Sequence, residues 1–509
     1  SGNAFSTRTA SFIVQNHFPP GVNNAAGGPL FGVQFSQLPC GDFVQRGVNI
    51  VPGPKRSPLG LSADPGGFPI YKNGRVVGGI GVMADGVYGL DLNPQDTDNN
   101  LDERIAQSAL AGFASPTCIR ANRITAGGVS LAYSDSDNLT VSVAATTLAD
   151  ARVGGGSLLA VSGYATPAVR AGTAFGEAAS GYLPSASAQG HFSDERGYVL
   201  VNAAGAERHP PVASASLSAN EVKTLIKQAL GVANAARAQI RRPVGAAAEV
   251  TVSVVDAGGT LIGMARTPDA PVFGTDVSLQ KARTAAFFSS MGAATAINNL
   301  PPANYVGVGV SNASLAAYLN GSGGLLAFFN NNFAFSDGRA YSARAIGNIA
   351  RPNYPDGIDA NARGPLSKAL AAWSPFNVGF QLDLVYNGLV AALTNPGDAN
   401  TNCTSTSGGG AVTTALNNGI QIFPGAVPIY RGNTLVGAIG ISGDGVDQDD
   451  MIAFLGLHRA GLQLGGGLGN APASLRADNL APQGTNLRYV QCPQSPFINS
   501  NEQNVCDAK

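Results

Sequence analysis

Charge is scarce in this 509-residue chain: Asp, Glu, Lys and Arg together supply 12% of it, roughly half the usual share. The 31 basic and 32 acidic side chains leave a net charge of −1, so no long-range field gathers nucleic acid or an anionic membrane, and neither partner is expected. No run approaches the roughly 18 to 20 consecutive apolar residues of a membrane helix. No leader-like segment precedes Ser1, and the chain reads as mature and soluble. Histidine is limited to His17, His191, His209 and His458. There is no GxSxG elbow, no HExxH and no cysteine with a histidine nearby in sequence, which removes support for nucleophilic catalysis. The runs Gly408-Gly409-Gly410 and Gly465-Gly466-Gly467 lack the lysine of a phosphate loop and read as linkers. The five cysteines form no CxxC pair, so zinc and iron–sulfur ligation have little support. Disulfides are expected instead, Cys492 with Cys506 and Cys40 with Cys118. They favour a periplasmic or extracellular location and leave Cys403 unpaired or bonded to another chain.

What is abundant is apolar surface and glycine: 44% hydrophobic residues and 66 glycines. A chain three to four times the usual domain length is expected to hold more than one unit. An internal repeat divides it. Pro69-Ile70-Tyr71-Lys72-Asn73-Gly74-Arg75-Val76-Val77-Gly78-Gly79-Ile80-Gly81 recurs as Pro428-Ile429-Tyr430-Arg431-Gly432-Asn433-Thr434-Leu435-Val436-Gly437-Ala438-Ile439-Gly440. Each copy reads as a β-hairpin turning at Asn73-Gly74 or Gly432-Asn433, with glycines that allow close backbone approach. Each continues into a glycine-flanked acidic loop and a helix opening on two acids, Asp102-Glu103 and Asp449-Asp450, which suit the positive end of a helix dipole. The first copy holds 12 extra residues between hairpin and helix.

Upstream of the second copy, Ser218-Ala219-Asn220-Glu221 is a capping box. It precedes Val222, Leu225, Ile226, Ala229, Leu230 and Ala233 on one helical face. Val250, Val252 and Val254 alternate before the turn Asp256-Ala257-Gly258-Gly259 and the return Leu261–Arg266, a second hairpin. Ser278–Phe287 reads as another helix.

These segments together resemble the GlcG/HbpS family. The resemblance rests on Val254-Val255-Asp256-Ala257-Gly258-Gly259, on Arg266, Asp269 and Ala270, on Lys281-Ala282-Arg283-Thr284-Ala285, and on the hairpin-plus-acidic-helix ending, all in the family's order. It implies an α/β (α+β) module: an antiparallel sheet of about five strands covered by helices, often oligomeric, linked in several members to haem binding or degradation. It covers about 214–299 and 370–462. The first copy shows only the family's second half, beginning at Thr7-Arg8-Thr9-Ala10. Its missing hairpin would leave an open strand edge. That edge is expected to be completed by the connector, a second copy of the chain or another polypeptide, foremost an upstream fragment of the same precursor. The organisation expected is a truncated module over 1–124, a β-rich connector over 125–213 with strands such as Leu139–Val143 and Gly197–Val201, a full module over 214–470 with an insertion at about 300–370, and a disulfide-stapled tail over 471–509.

The function implied is extracytoplasmic haem or tetrapyrrole binding. Arg266, Lys281, Arg283 and Thr284 are the candidates for holding a propionate, and His17 and His458 are the candidate iron ligands. Asp91, Asn93, Asp96, Asp98 and Asp102 place hard oxygens at near-alternate positions that suit Ca2+, although the spacing is not that of an EF-hand. Two rival readings stand beside this one: an assembly subunit of a multi-chain complex that has lost ligand binding, and an enzyme on a small oxidised metabolite, for which no acid–base pair is visible.

Overall fold

Helix formation starts at the capping box as its spacing predicts. The Ser218 hydroxyl accepts from the Glu221 N–H at 3.3 Å, and Glu221 Oε2 accepts from the Ser218 N–H at 2.8 Å. Two donors that a helix start would leave unpaired are thereby satisfied. The helix runs over Ala219–Ala235 and buries the six apolar positions read from the sequence.

The computed structural model describes residues 3–15, 17–22, 25, 63–84, 91, 93–137, 148–153, 155–157, 174–241, 243–271, 273–305, 311–330, 335–356, 358, 361–368, 379–394, 416 and 418–509. They divide into two units, one of 2–13 and 63–174 and one of 1, 14–62 and 175–509. In chain order the smaller unit holds α1 (Thr7–Ile13), β1 (Gly67–Lys72), β2 (Arg75–Gly81), α2 (Leu101–Ala109), β3 (Thr125–Ala126), β4 (Val129–Ser130) and α3 (Leu148–Val153). The larger holds β5 (Tyr182–Pro184), β6 (Tyr198–Leu200), α4 (Ala219–Ala235), β7 (Thr251–Asp256), β8 (Leu261–Arg266), α5 (Gly274–Phe288), α6 (Ala293–Asn298), α7 (Ala317–Asn320), α8 (Leu325–Phe328), α9 (Ala343–Asn348), α10 (Phe380–Thr394), β9 (Ala426–Arg431), β10 (Thr434–Ser442), α11 (Val446–Gln463) and β11 (Gly469–Asn470).

The larger unit is built on one antiparallel sheet in the order β11-β9-β10-β7-β8-β6-β5. Seven strands replace the five expected, because β5 and β6 extend one edge and β11 the other. Residues 182–200 were assigned to the connector by sequence. The strand expected at Gly197–Val201 is β6, and it pairs with β8 through Tyr198 and Arg266, so this part of the connector completes the second module rather than the first. Leu139–Val143 lies outside the described residues.

Strand β7 shows why both sheet faces are covered. Val252 and Val254 pack with α4 and α11 in one core, while Val255 packs with Ala282, Ala285 and Ala286 of α5 in another. Ser253 faces the same side as Val255, and its hydroxyl lies 2.7 Å from that of Ser278. A strand buried on both faces carries no polar alternation. Close packing of α5 on β10 depends on Gly440: a Cβ there would lie 2.1 Å from the Ser278 carbonyl and 2.6 Å from the Ala282 amide.

In the smaller unit β1 and β2 form a two-stranded sheet. Asn73 and Gly74 both take positive φ, 51° and 74°, as a tight primed hairpin turn requires. The repeat is therefore structural as well as sequential, but its two copies differ in cover. Strand β10 has β9 on one side and β7 on the other. Among the described residues β2 has only β1, and Val76 and Val77 are 62% and 60% exposed. The Cys492–Cys506 disulfide expected in the tail is present. Phe497 and Val505 of the tail join the main core beside α4, so this segment is packed, not merely draped. Cys118 is an exposed free thiol; Cys40 and Cys403 lie outside the described residues.

Candidate functional site

All fifteen residues of α5 are buried. Its polar side chains must therefore find partners inside the protein, since a buried polar group without one costs several kcal/mol. Lys281 Nζ donates to Asp449 Oδ2 at 2.8 Å and to the Ile441 carbonyl at 2.9 Å. Arg283 donates from Nε to the Gly259 carbonyl at 2.9 Å and from Nη1 to Asn418 Oδ1 at 2.6 Å. The Thr284 hydroxyl donates to the Gln280 carbonyl and accepts from the Gln421 N–H, both at 2.8 Å. Arg266, 1% exposed, stacks over Tyr182 at 4.5 Å from the ring centre and donates to the Ala270 carbonyl. The three α5 residues fall within one helical turn, but they do not converge on a common ligand site. Each meets protein instead of a pocket and is committed to a different internal partner. Burial lifts the Asp449 carboxyl to about 6, with the Lys281 ammonium pulling it back down.

The first copy gathers its acidic loop around a cation. Arg8, which stands where Arg283 stands in the repeat, pairs through Nε with Glu103 at 2.8 Å. Through Nη1 it pairs with Asp135 at 2.9 Å, Asp98 at 3.2 Å and Asp91 at 3.7 Å. Carboxylate oxygens of Asp91, Asp96 and Asp98 lie within 4.8 Å of one another, and the Asn93 amide donates to Asp96 at 2.8 Å. Asp102 is not among them: it is fully buried and accepts from the Ala84 N–H at 2.6 Å. The expected calcium set is thus split, and its charge is already answered by a guanidinium, so the structure gives no support for calcium.

Of the two candidate iron ligands, His17 Nδ1 lies 2.5 Å from the Ala25 carbonyl, which leaves Nε2 as the ring nitrogen outside that contact. His458 is half-buried on α11. Partial burial, with Lys509 and Arg459 close by, holds its imidazole below the ordinary histidine range and so favours the neutral ring that binds iron. The next residue, Arg459, helps line an open cleft of about 290 Å³ with Asn234, Ala235, Phe497, Ile498 and tail residues to Glu502; His458 itself is not part of that lining. The Arg459 guanidinium sits 5.7 Å over the Phe497 ring.

Comparison with known proteins follows the same segments. The model of the family described as haem degrading protein HbpS-like matches residues 226–329 and 389–458. These residues form an HbpS-like domain. The match takes in most of α4, the sheet strands β7 to β10, α5 and the first two-thirds of α11. The chain is also similar to a solved structure described as a PduOC:haem complex, at 17% identity, 48% coverage of this chain, 94% coverage of that chain and a TM-score of 0.22. No curated protein matches the chain.

Sequence reasoning missed two features of the HbpS-like domain. Arg344 on α9, in the segment between the two matched regions, donates to Asp450 from Nε and to Asp447 at 2.7 Å from Nη2. No local pattern marks it, because its partners are about a hundred residues away. The cations beside His458 were also missed. Arg459 adjoins it in sequence, but Lys509 reaches it only through the folded tail.

Proposed function

We propose that the HbpS-like domain binds haem or a related tetrapyrrole outside the cytoplasm, at the surface shared by α11 and the tail, with His458 as the iron ligand. The observation that carries this reading is His458 itself: a partly exposed imidazole biased toward its neutral form, flanked by Arg459 and Lys509. Haem supplies an iron that accepts a neutral nitrogen ligand and two propionates that seek cations. Phe497 and Ile498 add apolar surface beside them. A cleft of about 290 Å³ is at the small end of ligand sites, so it suits one edge of a porphyrin and not its full enclosure. The α5 cations do not fit the role, since their donors are spent internally. The Cys492–Cys506 bond supports an oxidising compartment.

Titration of the purified chain with haemin, followed by the Soret band, tests the proposal. His458→Ala should weaken binding by at least tenfold and change the iron's spectrum. An unchanged titration would remove His458, and no binding by the wild-type chain would remove the function.

A second reading, assembly with another chain, is favoured by one observation: the exposed strand β2, whose counterpart β10 is paired on both sides. Sedimentation of the chain alone and after Val76→Lys/Val77→Lys tests it. Self-association abolished by the charges supports that reading; a monomer in both cases opposes association between copies.

A further inference from the structure

The two copies of the repeat can be compared atom by atom at the start of their acidic helices. Gly66 and Gly425 take φ of +124° and +123°. Their carbonyls accept from the N–H of Val82 and Ile441 at 3.0 and 2.7 Å. A Cβ on either glycine would meet the aspartate Cβ of Asp102 or Asp449 at 2.8 Å, and the Val82 or Ile441 carbonyl at 2.8 or 2.6 Å. The backbone cradle is the same in both. What occupies it differs. In the second copy the Lys281 ammonium sits there, 2.8 Å from Asp449 Oδ2, 2.9 Å from the Ile441 carbonyl and 2.9 Å from where a Gly425 side chain would begin.

The repeat aligns Arg8-Thr9 with Arg283-Thr284, so the residue at the lysine's place is Ser6. The Ser6 hydroxyl is turned away, donating to the Tyr133 carbonyl at 2.5 Å. Asp102 is 0% exposed, and its Oδ2 has no hydrogen-bond partner. A fully buried carboxylate oxygen facing neither a donor nor a cation is unfavourable. The same oxygen in the second copy shows which chemistry satisfies it.

We propose that the first copy binds a free monovalent cation of ammonium size, potassium or ammonium, between Asp102 Oδ2 and the Val82 carbonyl, in place of the lysine ammonium of the second copy. One carboxylate matches one positive charge. A divalent ion would leave a second positive charge unanswered in a buried place that offers one carboxylate. Potassium and ammonium have similar radii, and the 2.8–2.9 Å contacts of Lys281 mark the separation such an ion takes from oxygen. The site is independent of haem binding, since it lies in the smaller unit and uses none of the His458 surface.

Thermal unfolding of the whole chain at constant ionic strength in potassium, ammonium, sodium and choline chlorides tests this. The transition of the wild type should rise with the logarithm of potassium or ammonium concentration and stay flat in choline. Ser6→Lys should supply the cation covalently, be stable in choline and lose the response. Asp102→Asn should also lose it, and it decides the matter if Ser6→Lys does not fold. Soaked thallous ion should scatter anomalously beside Asp102. A wild type indifferent to the cation, or an undiminished response in Asp102→Asn, would overturn the proposal.

Discussion

Replacing Lys281 by methionine keeps the aliphatic stem and removes only the ammonium, so it isolates the charge that answers Asp449. Both side chains are almost fully buried, 2% and 3% exposed. Deleting one partner of such a pair leaves the other as an uncompensated buried charge, at a cost of about 3–5 kcal/mol. The cost has a ceiling, because the carboxylate escapes it by taking a proton. Asp449 already sits raised to about 6 by burial in the presence of the lysine, and without it the folded-state pKa moves higher still. The sign follows from linkage. A carboxyl whose folded pKa lies above its unfolded value contributes stability that is present below the unfolded pKa and lost as pH rises through the folded one. The deficit of Lys281→Met should therefore be small near pH 5 and grow toward its full size near pH 8, by about 1.4 kcal/mol for each further unit of raised pKa. Urea unfolding followed by far-UV circular dichroism at both pH values measures it. Removing both charges in Lys281→Met/Asp449→Leu should recover most of the loss. A deficit below about 1 kcal/mol near pH 8, or an equal deficit at both pH values, would refute the reasoning.

Other outcomes follow from the same structure. Burial lifts Glu207 to about 7, and His191, 3.2 Å away, is itself held below its ordinary range by burial and by Lys223, so it offers little countercharge. Stability tied to Glu207 should be lost as pH rises from about 4.5 through about 7, and Glu207→Gln should raise stability by about 1–3 kcal/mol near pH 8 while changing little near pH 4; calorimetry across pH decides. Gly440→Ala forces a Cβ onto the backbone of α5 and should cost about 3 kcal/mol, whereas Gly81→Ala, with nothing within 4 Å, should stay within about 0.5 kcal/mol; equal urea midpoints would contradict the difference in cover between the copies. Removing the Cys492–Cys506 bond, which spans 14 residues, should cost about 3 kcal/mol and expose Phe497 and Val505 to proteolysis of the tail, read by limited digestion and mass spectrometry.

The sequence by itself determined the local elements and the repeat, because those depend on short-range chemistry. The capping box at Ser218, the turns at Asn73-Gly74 and Asp256–Gly259, and the apolar face of α4 need only neighbours within a few residues. The recurrence of one hairpin and acidic helix is visible without any fold, and so was the order of segments that marks the HbpS-like domain. Tertiary structure alone decided what the polar residues are for. Lys281, Arg283 and Thr284 look like a ligand-facing trio when only helical spacing is known. The sheet and the loops around Asn418 and Gln421 enclose α5 on all sides and turn these three into internal struts. Arg8 and Arg283 occupy the same place in the repeat yet bind different partners, since one faces a loop of carboxylates and the other the Gly259 turn. The strands at 182–200 could be recognised as strands but not assigned to a sheet, because pairing is set by contacts between residues far apart in the chain. Asp102 and Asp449 hold corresponding places in the repeat, and only the placement of Ser6 and Lys281 against them separates a buried carboxylate in need of a cation from one that has it.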